Sequence, residues 1–376
     1  MSKPEVYFTD FTTPMYGAPI PKKFENLIRK AGIDKIDMNG KFVAIKIHFG
    51  ELGNLSFLRP NYARVVVDIV KSLGGKPFLT DCNTLYPGYR KNALEHLECA
   101  WQNGFTPLTV GCPILIGDGL KGTDDIEVPV RNGEQCKTAK IGRAIMDADI
   151  VISLNHFKGH EEMGFGGALK NLGMGCGSRA GKKDMHATGK PTIDPLMCRG
   201  CKLCAKQCAN DGFIFDETRK KMSINEKNCL GCGRCIGACN FDAISFRENN
   251  SVKDLNIRVA EYTQAVVDGR PNFHINLICD VSPNCDCHQE NGAPILPDIG
   301  MLASFDPVAL DQACVDLCRK ATPTPNGDLA KNIHKPGFRD LGDHWKNTHP
   351  NVEWEMVLVH SEKIGVGSRE YELVEI

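Results

Sequence analysis

The amino-acid sequence predicts an α/β fold, with a mainly parallel sheet and flanking helices, interrupted by a small cysteine-rich α+β insert. Three observations carry this reading. A strand–helix–strand pattern occupies residues 41–81, the connection typical of a parallel sheet. The same alternation returns after residue 249. Between the two, residues 198–239 hold eight of the chain's 18 cysteines in two matched runs. The economical arrangement is one α/β domain, 1–190 plus 249–376, with the insert 191–248 set inside it. Three successive domains are the alternative, because a sequence does not reveal whether the two flanks share a sheet.

The elements follow in order. Residues 41–49 form a largely apolar strand, and the loop 50–53 carries glycine at both ends. Ala63, Val66, Val67, Val70 and Leu73 recur at helical spacing over 61–73, and Gly74-Gly75 stops that helix. A short strand starts at Phe78 and ends at Asp81-Cys82-Asn83-Thr84. Residues 141–146 read as a helix and 149–154 as a strand. After the insert, 252–267 predicts an amphipathic helix and 273–280 a strand. Residues 307–319 predict a helix with Asp306 as N-cap and Pro307 in its first turn. Residues 355–360 read as a final strand.

The two cysteine runs are Cys198-Arg-Gly-Cys201-Lys-Leu-Cys204-Ala-Lys-Gln-Cys208 and Cys229-Leu-Gly-Cys232-Gly-Arg-Cys235-Ile-Gly-Ala-Cys239. Both read C-x2-C-x2-C-x3-C. Thiolates at this spacing can wrap one corner of an iron–sulfur cubane while the intervening amides face its sulfurs, and Gly200, Gly231 and Gly233 suit the tight turns required. Structural zinc sites normally use cysteine pairs, and a disulfide framework belongs to secreted chains. Residues 191–248 resemble the two-cluster bacterial ferredoxins, where the fourth cysteine of each run ligates the other cluster. The resemblance implies one 4Fe–4S cluster on Cys198, Cys201, Cys204 and Cys239, and a second on Cys229, Cys232, Cys235 and Cys208. Where that family has proline after the fourth cysteine, this chain has Ala209 and Asn240, which bears on solvent access and potential rather than on ligation.

Composition narrows the class. Hydrophobic residues make up 42% and charged residues 24%, with a net charge of −1, so nothing favours nucleic acid or an anionic membrane as partner. The first residues lack an apolar signal core and a twin arginine, and no apolar run reaches membrane-spanning length. The expectation is a cytoplasmic protein whose cysteines work as thiolates, in an anaerobic or reducing setting.

Five further segments are informative: Asn155-His-Phe-Lys-Gly-His160, Gly164-Phe-Gly-Gly-Ala-Leu-Lys-Asn-Leu-Gly173, Asn284-Cys-Asp-Cys287, Pro297-Asp-Ile-Gly300 and Asp306-Pro-Val-Ala-Leu-Asp311. With them the whole chain resembles the ferredoxin-containing branch of the domain-of-unknown-function 362 family. That resemblance implies an α/β fold around an iron–sulfur insert and leaves the reaction unassigned.

The loop after the strand ending at Leu154 is the first candidate site, since parallel sheets bind ligands beyond the carboxyl ends of their strands. His156, His160, Lys170 and His186 are its candidate catalytic groups, and Glu161 adds a carboxylate. Gly164, Gly166, Gly167 and Lys158 are the candidates for binding a cofactor or an anionic substrate. A helix opening at 166–170 would offer free amides to a carboxylate or phosphate. The loop is no P-loop, and Phe157 stands where a zinc-protease helix needs glutamate. Its His, Gly-Gly, Lys order is also similar to the lactate racemase family, which uses a nickel pincer cofactor; that likeness points to His156 or His160, Lys170 and His186.

The second candidate is Cys285-Asp-Cys287-His288, whose composition suits a metal site or a redox-active thiol pair. Cys279, Cys176 or His288 would complete it. Cys314 and Cys318 read as packing, Cys82 ends a strand, and Cys99, Cys112 and Cys136 form no pattern.

The leading functional reading is an oxidoreductase. Electrons from a redox partner protein or low-potential donor would pass through two 4Fe–4S clusters to a site on the α/β domain, which takes an anionic small molecule. The alternatives are a non-catalytic electron carrier or cofactor-maturation factor docking on a partner enzyme, and a racemase-like enzyme. An enzyme should have an enclosed polar pocket joining the 155–186 loop to Cys285, whereas a carrier should have exposed clusters beside an apolar patch.

Overall fold

The computed structural model describes residues 3–85, 88–186, 190–231, 234–239, 241, 243–246 and 251–376. Its main sheet has eight strands: β1 (Glu5–Asp10), β2 (Phe42–Lys46), β3 (Lys76–Asp81), β4 (Ile114–Ile116), β5 (Ile150–His156), β6 (Asn272–Ile278), β7 (Gly300–Ser304) and β8 (Glu372–Glu375). They lie in the order β8-β1-β7-β6-β5-β2-β3-β4. Every pair from β6 to β4 is parallel, β7 is antiparallel to both β6 and β1, and β8 is parallel to β1. The parallel pairing of β5 with β6, Leu154 opposite Ile275, joins the chain before the insert to the chain after it in one sheet.

The central strands read as continuous apolar runs because both sheet faces are covered. All seven residues of β5 are buried. Alternate residues serve opposite faces: Ile150, Ile152 and Leu154 join one core, and Val151 joins the other. The first core is closed by the helix Ile20–Lys30 and by α1 (Pro60–Ser72), which buries Ala63, Val66, Val67 and Val70. The second is closed by α2 (Ala168–Cys176), α3 (Ser251–Val267) and α4 (Pro307–Lys320). Asp306 caps α4 by accepting the amides of Val308 and Ala309, both at 2.9 Å. α2 and α3 meet at Gly173, where a Cβ would stand 2.2 Å from the Val259 carbonyl oxygen. Only glycine permits that approach.

Two local expectations are corrected. Residues 141–142 end a strand, Thr138–Gly142, and only one helical turn, Arg143–Met146, follows. Burial of Ala139 and Ile141 on either side of half-buried Lys140 is a period of two, and the ladder with Asp125–Pro129 satisfies the backbone. Residues 355–360 belong to a helix, Glu355–Lys363, whose buried Val357, Leu358 and Ser361 follow helical spacing. Packing there overrides the strand preference of its two valines, and the last strand is β8, at the edge of the sheet.

The insert contains two antiparallel pairs, Pro191–Ile193 with Ile244–Phe246 and Phe213–Asp216 with Lys221–Ile224. One-turn helices, Leu203–Lys206 and Arg234–Gly237, sit at matching places in the two cysteine runs. Cys232, Gly233 and Asn240 lie outside the described residues. No helix among the described residues is long and apolar enough to cross a membrane.

Candidate functional site

A cleft of about 770 Å³, its mouth included, opens beyond the carboxyl ends of β2, β3 and β5. His48, Asp81, Thr84 and Arg90 come from β2, β3 and the segments after them; His156, Lys158, His160 and Glu162 come from β5 and the chain after it; Lys170 and Asn171 come from α2, and Lys182, His186 and Cys287 complete the polar lining. Five of the six residues expected from the 155–186 loop therefore share one cavity with Cys287, and Glu161 lies beside it.

The wall under β2 and β3 is an ion network that the sequence did not reveal. Lys46 Nζ, fully buried, lies 3.0 Å from Asp81 Oδ1 and 2.5 Å from Asn171 Oδ1. Arg90, also buried, donates from Nε to Glu51 Oε2 at 3.0 Å and holds Nη1 3.7 Å from Asp81 Oδ2. Burial would raise the Asp81 pKa, but Lys46, His96 and His48 together hold it well below the carboxylate range.

On the opposite wall the histidines differ. His156 has acceptors at both ring nitrogens, Asp286 Oδ1 at 2.9 Å from Nδ1 and the Cys279 carbonyl at 2.8 Å from Nε2, so it anchors the wall. Lys158 Nζ also faces Asp286, at 3.2 Å. Burial would raise the Asp286 pKa, yet His156 and Lys158 hold it well below its ordinary value. His160 Nδ1 accepts the amides of Glu162 and Met163 at 3.1 Å, and the ring also hydrogen-bonds the Cys285 sulfur. Burial lowers the pKa of His160, and takes that of His186 down to about 3. Burial beside Glu161 pushes Glu162 up to about 8.

Lys170 Nζ lies 2.9 Å from Cys285 Sγ. The thiol of Cys287 donates to Cys285, and with Lys170 and Lys158 nearby Cys285 sits well below the ordinary thiol range despite its burial, while Cys287 is held well above it. Lys170 and the Cys287 S–H together favour the thiolate form of Cys285. Glu161, Cys287 and His288 bring one ligand atom each within 4.8 Å of one another. Of the three partners considered for the Cys285/Cys287 pair, only His288 is there. Cys279 is packed in the core facing α1, and Cys176 packs against Cys82, whose Sγ lies 3.4 Å from the Cys176 carbonyl.

The glycines do not frame an anion site. α2 does open at Ala168, but Asp311 Oδ1 and Oδ2 accept its first amides, from Ala168 at 2.8 Å and Leu169 at 2.9 Å. Gly167 is needed because a Cβ there would lie 2.3 Å from Asp311 Oδ1. Gly164, at φ +78°, turns the hairpin between Lys158–His160 and Gly164–Gly166 against Trp354. The amides expected to meet an external anion are thus satisfied from within. The motif ending at Asp311 had been legible; its task had not.

In the insert, Cys198, Cys201, Cys204 and Cys239 line one cavity of about 320 Å³ with Gly200, Met222 and Phe241. The Met222 amide donates to Cys198 Sγ at 3.5 Å. Near the second run, Cys208 Sγ accepts the Gly212 amide at 3.1 Å, and a Cβ on Gly212 would sit 3.0 Å from that sulfur and 3.5 Å from Cys229 Cα. The last cysteine of each run thus stands with the opposite run. Four sulfurs around one cavity, met by a backbone amide, are a donor set that fits a 4Fe–4S cluster.

Residues 43–316 match the family model described as Domain of unknown function (DUF362). The chain is 28% identical over 127 residues to the Thylakoid-associated protein sll1697 of Synechocystis sp., a match covering 33% of this chain and 34% of that protein. Among solved structures it is similar to the lactate racemase apoprotein of Thermoanaerobacterium thermosaccharolyticum, with 10% identity, TM-score 0.44, and 94% of this chain and 81% of that one covered. A Thermotoga maritima protein solved by the Northeast Structural Genomics Consortium is similar with 12% identity, TM-score 0.39, and 78% and 57% coverage.

Proposed function

Because the chain belongs to the DUF362 family, whose description carries no reaction, we propose a function from its own geometry: an iron–sulfur oxidoreductase acting on an anionic small molecule in the cleft. The observation that carries it is the convergence of Cys198, Cys201, Cys204 and Cys239 on one cavity, the set implied by a crossed two-cluster arrangement. Bound there, with a second cluster on Cys208, Cys229, Cys232 and Cys235, such groups supply one-electron transfer at potentials between roughly −700 and +450 mV.

The insert, residues 191–248, is the electron-transfer domain of this reading. It is rooted at the cleft: His186 lines the cleft wall, and five residue steps later Pro191 begins the insert's first strand, a reach of at most about 18 Å. At the insert's surface Cys201 is exposed and shares its cavity with exposed Phe241, which suits docking of a redox protein as electron donor.

In the cleft, Lys170 and Lys182 supply positive charge for an anionic substrate. Glu162 is the proton donor of choice, since a carboxyl with a pKa of about 8 is protonated at neutral pH and close to its own titration. A cleft that gathers His156, Lys158, His160, Lys170 and His186 beside Cys287 favours an enzyme over a pure carrier. Pairing of the Lys170 amine with Cys285 counts against a racemase-like role for that lysine.

The test is iron, acid-labile sulfide and electron paramagnetic resonance on protein purified without oxygen. About eight irons and eight sulfides per chain are expected, falling to about four of each in Cys201→Ser and in Cys208→Ser. A folded chain that carries zinc and no sulfide would overturn the reading.

A further inference from the structure

We infer that Glu161, Cys287 and His288 form a mononuclear site for a divalent metal ion of the zinc class, on the rim of the cleft. The inference rests on the cleft being the reaction site and is independent of the clusters in the insert.

The three ligand atoms lie within 4.8 Å of one another, a separation that a small inward shift converts into the edges of a tetrahedron with metal–ligand bonds of about 2.0–2.3 Å. One sulfur, one imidazole nitrogen and one carboxylate oxygen suit a borderline ion such as Zn²⁺ better than Ca²⁺ or Mg²⁺, which take oxygen ligands. Three protein ligands leave one position for water or substrate, the composition of catalytic rather than structural zinc.

The backbone places the ligands before any metal arrives. The His288 amide donates to the Cys285 carbonyl at 3.0 Å, closing a turn that carries Cys287. That turn is tied to the loop after β2: the Glu51 amide donates to the Asp286 carbonyl at 2.8 Å, and Asn54 Nδ2 donates to the His288 carbonyl at 3.0 Å. Glu161 Oε2 faces the Cys285 amide at 3.4 Å, while its Oε1 lies 2.9 Å from His288 Nε2. That second contact is the one the ion replaces: the proton between carboxylate and imidazole is displaced, and the Cys287 thiol proton, now donated to Cys285, is released with it, as metal binding requires. His288 Nδ1, on the ring's far side, is 3.6 Å from Glu290 Oε1, the place of the carboxylate that commonly orients a metal-bound histidine.

Because Cys287 also lines the cleft, an ion held here stands on the wall shared with Lys170 and Glu162. There it would polarise a carboxylate or carbonyl oxygen of the anionic substrate.

The experiment titrates Co²⁺, as a spectroscopic substitute for Zn²⁺, into the full-length cluster-loaded chain freed of adventitious metal under anaerobic conditions. Expected are one equivalent of Co²⁺ and a thiolate-to-cobalt charge-transfer band that Zn²⁺ abolishes. Cys287→Ser should remove the band. Glu161→Gln, at a side chain one-third exposed and tolerant of change, should weaken binding about tenfold or more with iron content unchanged. Cys201→Ser should lose iron and keep the cobalt band, which separates failure of this site from failure of the cluster reading. No saturable Co²⁺ binding in the wild type, or an undiminished band in Cys287→Ser and undiminished affinity in Glu161→Gln, would overturn the inference.

Discussion

Asp311 accepts the amide of Ala168 at 2.8 Å across 143 residues of sequence, fixing the start of α2 from within α4. Its second oxygen takes the Leu169 amide, and Asn276 Nδ2 donates to the first at 2.7 Å. A side chain buried in one core helix thus sets the position of Lys170, two residues into another.

Replacing Asp311 with asparagine should test this. One acceptor oxygen becomes an NH2 group facing N–H donors, and a buried amide is left unpaired. The expected cost is about 1–3 kcal/mol of stability, read as a lower denaturation midpoint with iron content unchanged.

Glu162 should make stability pH-dependent. Its folded pKa of about 8 stands above the ordinary 4.5, so between those values the folded chain keeps a proton that the unfolded chain releases. The contribution of Glu162 is fully present below pH 4.5 and is lost as pH rises through about 8. Relative to wild type, Glu162→Gln should therefore gain thermal stability progressively from pH 5 to pH 8 and level off above it. A difference independent of pH would contradict the assignment.

Arg90 is the cation between two buried carboxylates, Glu51 and Asp81. Arg90→Met should destabilise the chain by about 3–5 kcal/mol, because it strands buried charge rather than removing a whole pair. Adding Glu51→Gln should recover part of that loss in a denaturant titration; no recovery would mean that the methionine fails for reasons of shape.

Gly173 should not tolerate a methyl group. Gly173→Ala places a Cβ where the Val259 carbonyl oxygen already is, so α2 and α3 must separate, at a cost of about 1–3 kcal/mol in thermal melting.

What the sequence disclosed follows the range of the forces involved. The Asp306–Pro307 helix start and the stop at Gly74 are local, and both were legible. The helix at 355–363 was misread because its apolar residues, Met356 to Val359, are consecutive and two of them are valine, so a short window resembles a strand until Val357 and Leu358 are seen packing on the helical layer. The Cys285-Asp-Cys287-His288 segment announced a site by composition. Its contact with Lys170 and its neighbour Glu161 come from the other flank and needed the β5–β6 pairing to bring them close. Arg90 and Glu51 gave no signal, since two opposite charges far apart in a chain are ordinary until burial makes them partners.

The sheet order also has a consequence for biosynthesis. β1 is made first, yet its neighbours β7 and β8 are made last, with Tyr7 paired to Ala303 and to Val374. At ribosomal rates of about 5–20 residues per second, an amino-terminal strand waiting for some 300 residues stays unpaired for roughly 15–60 s. By the end of that wait the cysteine runs have been made, while the sheet is still open. The insert is therefore complete before the α/β sheet can close, whereas the cleft walls, all from residues up to Cys287, are made before the last two strands.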